Sequence, residues 1–357
     1  MKRRKGKQVR RQILRRLEKE RYYWRVRRKI LRRERRALAA GNVPSTLSKA
    51  PVLFAPAVFE LFGRNRHSVL QFIVSLREIV ATRKRRVILD FSRTTKMVAC
   101  GTLLLLAEVK RLIEISGPRR IKCRNVLDGK VGEVLQQIGF FEAIGKRTSI
   151  SPSAEDVIHW CSVAGIGAEG EKANQLVETM GDRLPPTLLS PMYRGLVEAM
   201  TNCAQHAYVE IRKDGLGLRG KGEWWMFARE QDEELTVVLC DLGIGIPRSL
   251  PLTYGNSVIT EYLARASRAS GVTHTDADLV KAAIEIGRSR VREAHRGKGL
   301  RDVVDVINSA GTGMLRIHSN RGCYTYRMSA GEATHQRRNY RDSIIGTLIQ
   351  WTVPITA

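Results

Sequence analysis

Residues 195–208 read GLVEAMTNCAQHAY. Glu198, Asn202 and His206 recur at intervals of four, so a helix here places these three side chains on one face, opposite an apolar face. An amide oxygen can bind Mg²⁺ beside phosphate oxygens, and a carboxylate can accept a proton from an attacking water. Taken alone, such a polar face is more often a solvated helix surface. This polar face predicts a binding site only in combination with other segments of the chain.

The first supporting segment follows a predicted strand at residues 235–240, which is β-branched and apolar. The strand runs into Asp241 and then into LGIGIP at residues 242–247. A carboxylate at the end of a buried strand can accept hydrogen bonds from an exocyclic amine. Gly243 and Gly245 lack the Cβ atoms that would hold a flat ring or a ribose away.

The second supporting segment is RGKGL at residues 296–300, which precedes an apolar helical pattern. Backbone amides at Gly297 and Gly299, together with the helix amino terminus, would face an anion. Lys298 adds a mobile positive charge. Residues 311–313 then open a predicted strand at 314–318, and Gly346-Thr347 opens a last one at 348–353.

These segments, in this order, resemble the GHKL superfamily with its Bergerat ATP-binding fold, and most nearly the anti-sigma-factor serine kinases. The resemblance covers residues 185–357 and implies ATP and Mg²⁺ as cofactors. It implies that Glu198 is the activating base, that Asn202 is the magnesium ligand and that Asp241 reads adenine. It also assigns nucleotide binding to a wider set, namely His206, Gly243, Gly245, Ile246, Gly297, Lys298, Gly299, Leu300 and Thr347. For His206, a capping or core-edge role stays open, and residues 248–295 would form a nucleotide lid.

An earlier part of the chain alternates predicted strands with helices. Predicted strands at 87–91 and 121–126 alternate with helical patterns at 68–82, 98–114 and 129–138, and this alternation indicates an α/β sandwich or sheet. The segments DFS (90–92), ACGTLLLL (99–106) and VGEVLQQIGF (131–140) resemble the STAS domain of anti-anti-sigma factors, over roughly residues 50–150. In that family a serine in a DSSG loop is phosphorylated, whereas residues 98–101 here read VACG. We therefore expect a docking or rigidifying role without a phosphoswitch, and a buried Cys100 thiol.

The amino-terminal residues 1–40 hold 19 Lys and Arg against three acids, within a chain of formal net charge +27. Leu17, Trp24, Leu31 and Leu38 recur every seven residues, so a helix here has a narrow apolar stripe and a cationic surface. The basic residues between 2 and 36 could follow a nucleic-acid backbone. A membrane-surface helix and a solvated basic arm are the alternatives.

The whole sequence predicts an α/β chain of α+β sandwiches with a basic helical arm and linker (1–45), a STAS-like domain (46–150), a stretch without interpretable motif (151–184) and the ATP-binding domain (185–357). Its six cysteines are widely spaced and no apolar run approaches the ~20 residues of a membrane span. The basic amino terminus is not followed by the apolar stretch of a signal peptide. These features predict a cytoplasmic protein, and a homodimer stays open.

The sequence leaves three uses of ATP open. The chain could transfer the γ-phosphoryl group to a Ser or Thr of another protein, hydrolyse ATP slowly to switch a nucleic-acid-associated shape, or retain ATP as a docking scaffold. A histidine kinase is disfavoured, because neither His67 nor His159 is followed by an acid, Arg, Thr and Pro in the manner of a phosphoacceptor helix.

Overall fold

The elements described here come from a computed structural model, which describes residues 50–124, 129–154, 157, 161–180, 184–216, 222–266, 274–289 and 300–355. The predicted basic arm and linker (1–45) and the predicted phosphate-binding residues 297–299 lie outside them. The chain divides into two units, Met1–Pro51 and Val52–Ala357, and every element below belongs to the second.

Residues 52–144 contain a small parallel sheet with its helices. The elements are β1 (Val52–Phe54), β2 (Val58–Phe59), α1 (Asn65–Arg77, continued by a π-helical turn at Glu78–Thr82), β3 (Val87–Asp90), β4 (Lys96–Met97), α2 (Ala99–Ser116), β5 (Ile121–Arg124), α3 (Lys130–Gln137) and α4 (Phe140–Ala143). Strands β1, β3 and β5 form the parallel sheet, in that order, and β2 pairs with β4. We refer to residues 52–154 as the N-terminal segment.

Helix α2 is apolar around most of its circumference, as expected of a helix without a solvent-facing side. Its residues from Ala99 to Val109 are all buried. Gly101 allows its first turn to approach β2, because a Cβ there would lie 2.5 Å from the Phe59 carbonyl oxygen. Glu108 is the one acid in this buried stretch.

The rest of the unit forms a larger antiparallel sheet with helices. The elements are β6 (Cys161–Ile166), α5 (Gly170–Met180), α6 (Pro186–Asn202, continued by a π-helical turn at Cys203–Ala207), β7 (Glu223–Gln231), β8 (Glu234–Asp241), α7 (Ile246–Tyr254), α8 (Asn256–Ala266), α9 (Asp276–Ser289), α10 (Arg301–Ala310), β9 (Gly313–Ser319), β10 (Gly322–Ser329), β11 (Glu332–Asn339) and β12 (Thr347–Pro354). The seven strands pair in the order β11-β10-β9-β12-β8-β7-β6, each pair antiparallel.

Both faces of the seven-stranded sheet are buried along most of β7, β8 and β12. Along β7, Trp224 and Met226 belong to a core with helices α5 to α10, whereas Trp225 and Phe227 belong to a core with the N-terminal segment. Strand residues alternate between two faces, so each core takes every second residue. The N-terminal segment therefore covers the sheet face opposite α6, with α2 packed against β7 and β8.

The structure confirms the predicted mixed α and β class in the described residues. It also places elements that sequence analysis did not assign: β6 and α5 within residues 151–184, and the β10–β11 pair. The sequence of β6, CSVAGI, consists mostly of small residues, and every residue of β11 is exposed. Neither strand carries the apolar alternation that predicts a half-buried strand. No helix among the described residues is long and apolar enough to cross a membrane.

Candidate functional site

A cavity of about 70 Å³ with an open mouth lies between the end of α6, helix α7 and the ends of β8 and β12. Ala283 of α9 and Leu300, just before α10, complete the wall. Seven of the residues predicted to bind the nucleotide line this one cavity: Asn202, His206, Asp241, Gly245, Ile246, Leu300 and Thr347. They come from four separated parts of the sequence.

Asp241 ends β8 and is only 5% exposed. Its Oδ1 accepts hydrogen bonds from the backbone N–H groups of Gly243 (2.8 Å) and Thr347 (3.2 Å). Its Oδ2 lies 3.8 Å from the Cys203 sulfur, a weak donor. Burial raises the pKa of Asp241 to about 6, against the opposing effect of these hydrogen bonds. The carboxylate therefore keeps accepting capacity at Oδ2 for a donor in the cavity.

The two glycines after Asp241 serve close packing around the turn. Gly243 does not line the cavity, and a Cβ on it would overlap the carbonyl oxygen of Ala207. The same oxygen accepts a hydrogen bond from Ile244 N–H at 2.7 Å. Gly245 has φ +79°, and a Cβ there would lie 2.6 Å from the Asn320 side chain. The turn is thus held against the π-helical end of α6, which carries the polar face.

On α6, Asn202 faces the cavity and Glu198 lies one turn earlier. The Asn202 amide nitrogen donates to the Glu198 backbone oxygen and to its Oε1, both at 2.9 Å. Because both partners are acceptors, the amide oxygen of Asn202 is left for another group. Burial raises the pKa of Glu198 to about 7, and the nearby Asp302 carboxylate adds to the rise. A carboxylate with this pKa can take up a proton near neutral pH.

His206 lines the cavity from the π-helical turn. Its Nδ1 lies 3.3 Å from the Thr253 hydroxyl of α7, and burial lowers its pKa. It is therefore a neutral ring near pH 7. This contact links the end of α6 to α7. It is consistent with a core-edge role for His206 as well as with a binding role.

The approach of α10 to α6 depends on Gly195. A Cβ on Gly195 would lie 2.8 Å from Val306 Cγ2 and 3.2 Å from the Asp302 carbonyl oxygen. From the sheet side, Trp351 Nε1 donates to the Val303 carbonyl oxygen at 2.8 Å. These two contacts fix the first turn of α10 beside Glu198. The predicted phosphate-binding residues Gly297, Lys298 and Gly299 lie outside the described residues, and Leu300 directly after them lines the cavity.

Several further residues that shape the site were not predicted from the sequence. Ser319 lies opposite Thr347 in the β9–β12 pair; its hydroxyl contacts the Thr347 hydroxyl at 3.0 Å and accepts a hydrogen bond from Ile246 N–H at 2.8 Å. The predicted lid region supplies further lining through Ser249, Leu250, Thr253, Tyr254 and Ala283. No local motif marks these residues, because strand pairing and helix packing bring them to the cavity.

The donor set suits one magnesium ion carried by a phosphate ligand. Within the described residues no group of three or more His, Cys, Asp or Glu side chains could hold a metal by itself. Magnesium in nucleotide sites keeps phosphate oxygens and waters and takes few protein ligands. The free amide oxygen of Asn202 is a ligand of that kind.

Cys100 lies in the segment 98–101, which the STAS resemblance aligns with the DSSG loop. It is fully buried, its thiol donates to Gln350 Oε1 at 2.8 Å, and burial raises its pKa to about 12. A thiol with this pKa is protonated and shielded, so it is not a nucleophile at neutral pH. The expected buried thiol is confirmed, and it joins α2 to β12.

Comparison of the chain with models of known protein families finds no match, and no curated protein sequence matches it. The geometry of the cavity therefore carries the functional proposal.

Proposed function

We propose that the chain is an ATP-binding regulatory protein of the GHKL type, with Bergerat architecture in residues 185–357, that uses ATP with Mg²⁺ for slow hydrolysis or for transfer to a Ser or Thr of another protein. One observation carries the proposal: a helix amide, a strand-end carboxylate, a glycine turn and a strand-opening threonine, far apart in sequence, line a single cavity. The proposed adenine contact is a hydrogen bond from its 6-amino group to Asp241 Oδ2.

The other residues are proposed to contact the nucleotide in order from the adenine base to the phosphates. Ile246, Leu250 and Ile349 provide apolar walls for the base. Asn202 Oδ1 would hold Mg²⁺, which neutralises charge between the phosphates. Glu198 would accept a proton from the attacking hydroxyl, either of water or of a protein side chain. Gly297, Lys298 and Gly299 keep their predicted role on the phosphates.

The N-terminal segment is proposed to be a STAS-like unit that works by docking. A three-stranded parallel sheet with α1 and α2 supports this architecture, and the buried Cys100 favours a role without phosphorylation of that turn. A protein phosphoacceptor or docking partner, a homodimer, a cytoplasmic location and nucleic-acid binding by residues 2–36 stay predictions from the sequence.

Nucleotide binding is tested by calorimetry with ATP and Mg²⁺ at pH 8. Asp241→Asn should weaken ATP binding about a hundredfold or more, because the amide nitrogen meets the donor at the 6-position and leaves a buried polar group unpaired. Asp90→Asn is the matched control, since Asp90 is also a buried strand-end carboxylate but pairs with Arg124 at 2.8 Å in the N-terminal segment. Equal ATP affinity in Asp241→Asn and the wild type would refute the adenine contact.

Incubation with γ-labelled ATP and a cell lysate separates the two uses of ATP. Label on one protein supports phosphotransfer, and release of free phosphate alone supports hydrolysis. If ATP binds and neither product forms, the chain retains ATP as a ligand, and the catalytic part of the proposal is wrong.

A further inference from the structure

A buried ion cluster joins the N-terminal segment to the loop after Asp241 and the loop before Thr347, two residues that line the cavity. Glu108 of α2 is fully buried and contacts three arginines: Arg77 from the end of α1 through a short hydrogen bond, Arg111 at 2.9 Å and Arg212 at 3.5 Å. Asp214 adds a second carboxylate, 2.6 Å from Arg212. We call these five residues the Glu108 cluster.

The cluster is shielded from water and carries an excess of positive charge. The three arginine residues are at most 5% exposed, and Glu108 is 0% exposed. Three cations face two carboxylates, and Asp214 also lies 3.8 Å from Arg77 and from Arg111. Loss of the Glu108 charge would leave three buried cations facing one carboxylate. Removing one member of a buried ion pair leaves an uncompensated charge, which is costly and forces the remaining groups to move.

Each arginine that contacts Glu108 also donates a hydrogen bond to a backbone carbonyl oxygen in the part of the chain after residue 160. Arg212 donates to Leu242 at 2.8 Å, Arg77 to Ile344 at 3.3 Å, and Arg111 donates to Leu216 through a short contact. Arg111 and Arg212 contact Glu108 through Nη2 and the loop through Nη1, whereas Nη2 of Arg77 contacts both Glu108 and Ile344. Glu108 therefore orients three guanidinium groups that also hold three loops.

Two of these loops are the ones that hold Asp241. Leu242 follows Asp241 in the turn, and Ile344 lies three residues before Thr347, whose N–H donates to Asp241 Oδ1. The intervening Gly346 packs directly on this carboxylate residue, because a Cβ there would overlap the Asp241 carbonyl oxygen. A shift of either loop changes where the carboxylate points.

We infer that Glu108 is a positioning residue for base recognition: acting through Arg77 and Arg212, it sets the two loops that aim Asp241 at the 6-amino group of adenine. The inference rests on the proposed ATP site and adds to it a control point in the N-terminal segment, about 130 residues earlier in the chain. It makes nucleotide selectivity depend on how that segment is docked.

The test compares ATP with inosine triphosphate, which has a carbonyl oxygen in place of the 6-amino group. Binding of both nucleotides with Mg²⁺ is measured by calorimetry at pH 8 for the wild type, Glu108→Gln and the control Asp90→Asn. Glu108→Gln should weaken ATP binding about tenfold and change inosine triphosphate binding less than about twofold, because only ATP uses Asp241 as an acceptor. Asp90→Asn should leave the ratio of the two affinities as in the wild type.

The outcomes separate the inference from the proposed function. A folded Glu108→Gln that loses both affinities equally, or neither, overturns the inference while the ATP site stands. A wild type that binds neither nucleotide overturns the proposed function and the inference with it. If Glu108→Gln does not melt cooperatively, Arg212→Lys is tested in the same way: it keeps a positive charge beside Glu108 but loses the planar fork, in which Nη2 contacts Glu108 and Nη1 reaches Leu242. An unchanged affinity ratio in Arg212→Lys then overturns the inference.

Discussion

At the scale of single residues, Asp241 lines the cavity and Glu198 does not, but burial raises the pKa of both carboxyl groups above the ordinary range. The pKa of Asp241 is raised to about 6 and that of Glu198 to about 7. Both proposed roles need the ionised form, since Asp241 accepts a hydrogen bond from an amine and Glu198 accepts a proton. The two groups therefore act over different pH ranges.

The first residue-scale prediction concerns the pH profile of turnover. The Michaelis constant for ATP should fall as the pH rises through about 6, when Asp241 ionises, and kcat should rise through about 7, when Glu198 ionises. Steady-state kinetics between pH 5 and 9 measure both. Glu198→Gln should bind ATP normally and lose turnover by a factor of about 10² or more. A kcat that stays level across pH 7 would contradict the role of Glu198 as base.

The second residue-scale prediction concerns stability without nucleotide. The folded chain binds the Glu198 proton more tightly than the unfolded chain, so this group contributes stability below its ordinary pKa of 4.5, and the contribution is lost as the pH rises to about 7. Gln at this position stays neutral at every pH. Glu198→Gln should therefore exceed the wild type in free energy of unfolding by on the order of 1 kcal/mol at pH 8, and match it near pH 4.

Urea titrations at both pH values measure this difference. The control is Glu332→Gln on the exposed strand β11, which should change the stability by less than about 0.5 kcal/mol at either pH. A Glu198→Gln protein less stable than the wild type at pH 8 would show that the carboxylate stabilises the fold, contrary to the burial argument.

At the scale of elements, the site depends on how closely α6 and α10 pack. Only a residue without a side chain fits at Gly195, where Val306 of α10 fills the space. This contact sets Asp302 beside Glu198, and Asp302 is one cause of the raised pKa of Glu198. The spacing of the two helices thus tunes the proposed base.

Gly195→Ala should separate the helices, destabilise the fold by about 1–3 kcal/mol and lower the pH at which kcat rises, because Asp302 moves away from Glu198. The double variant Gly195→Ala with Val306→Ala removes the clash at Val306 Cγ2 and should recover part of both losses. Thermal unfolding and the kcat profile measure the two effects. If the double variant is as unstable as the sum of the single variants, the close contact is not the cause.

At the scale of the whole unit, one sheet supplies residues to two cores. Trp225, Phe227 and Val238 pack with the N-terminal segment, and Trp224, Met226 and Leu239 pack with the helices of the cavity. Arg66 of α1 adds polar links across the same boundary, donating at 3.2 Å to the carbonyl oxygens of Asn320 and Asp342. Neither half buries its apolar surface alone.

Unfolding of the unit should therefore be a single transition seen equally by tryptophan fluorescence and by calorimetry. A truncated chain of residues 158–357 should aggregate or bind hydrophobic dye, since it exposes the sheet face that the N-terminal segment covers. Deletion of residues 1–49 is the control and should keep the single transition. Two separate transitions, or a monomeric and well-folded 158–357 fragment, would contradict the shared-core argument.

Features that depend on near neighbours along the chain follow from the sequence alone. The four-residue spacing of Asn202 and His206 predicted that both lie on one face of a helix, and both line the cavity, whereas Glu198 does not. The apolar run before Asp241 placed that acid at a strand end. These predictions held because helix and strand periods, and the positions of charges within them, are local properties.

Contacts between residues far apart in the chain depend on the folded structure. The sequence predicts that Gly243 makes space for a ring, but its missing Cβ makes room for Ala207. Glu108 in the apolar run of α2 has no role predicted from the sequence, and the fold surrounds it with Arg111 of the same helix and with Arg77 and Arg212 from other segments. Strand pairing set Ser319 beside Thr347, and the docking of the N-terminal segment buried the second face of the sheet. The energy of a buried contact depends on the partner that packing brings to it. That partner lies far away in the sequence, so the neighbouring residues do not identify it.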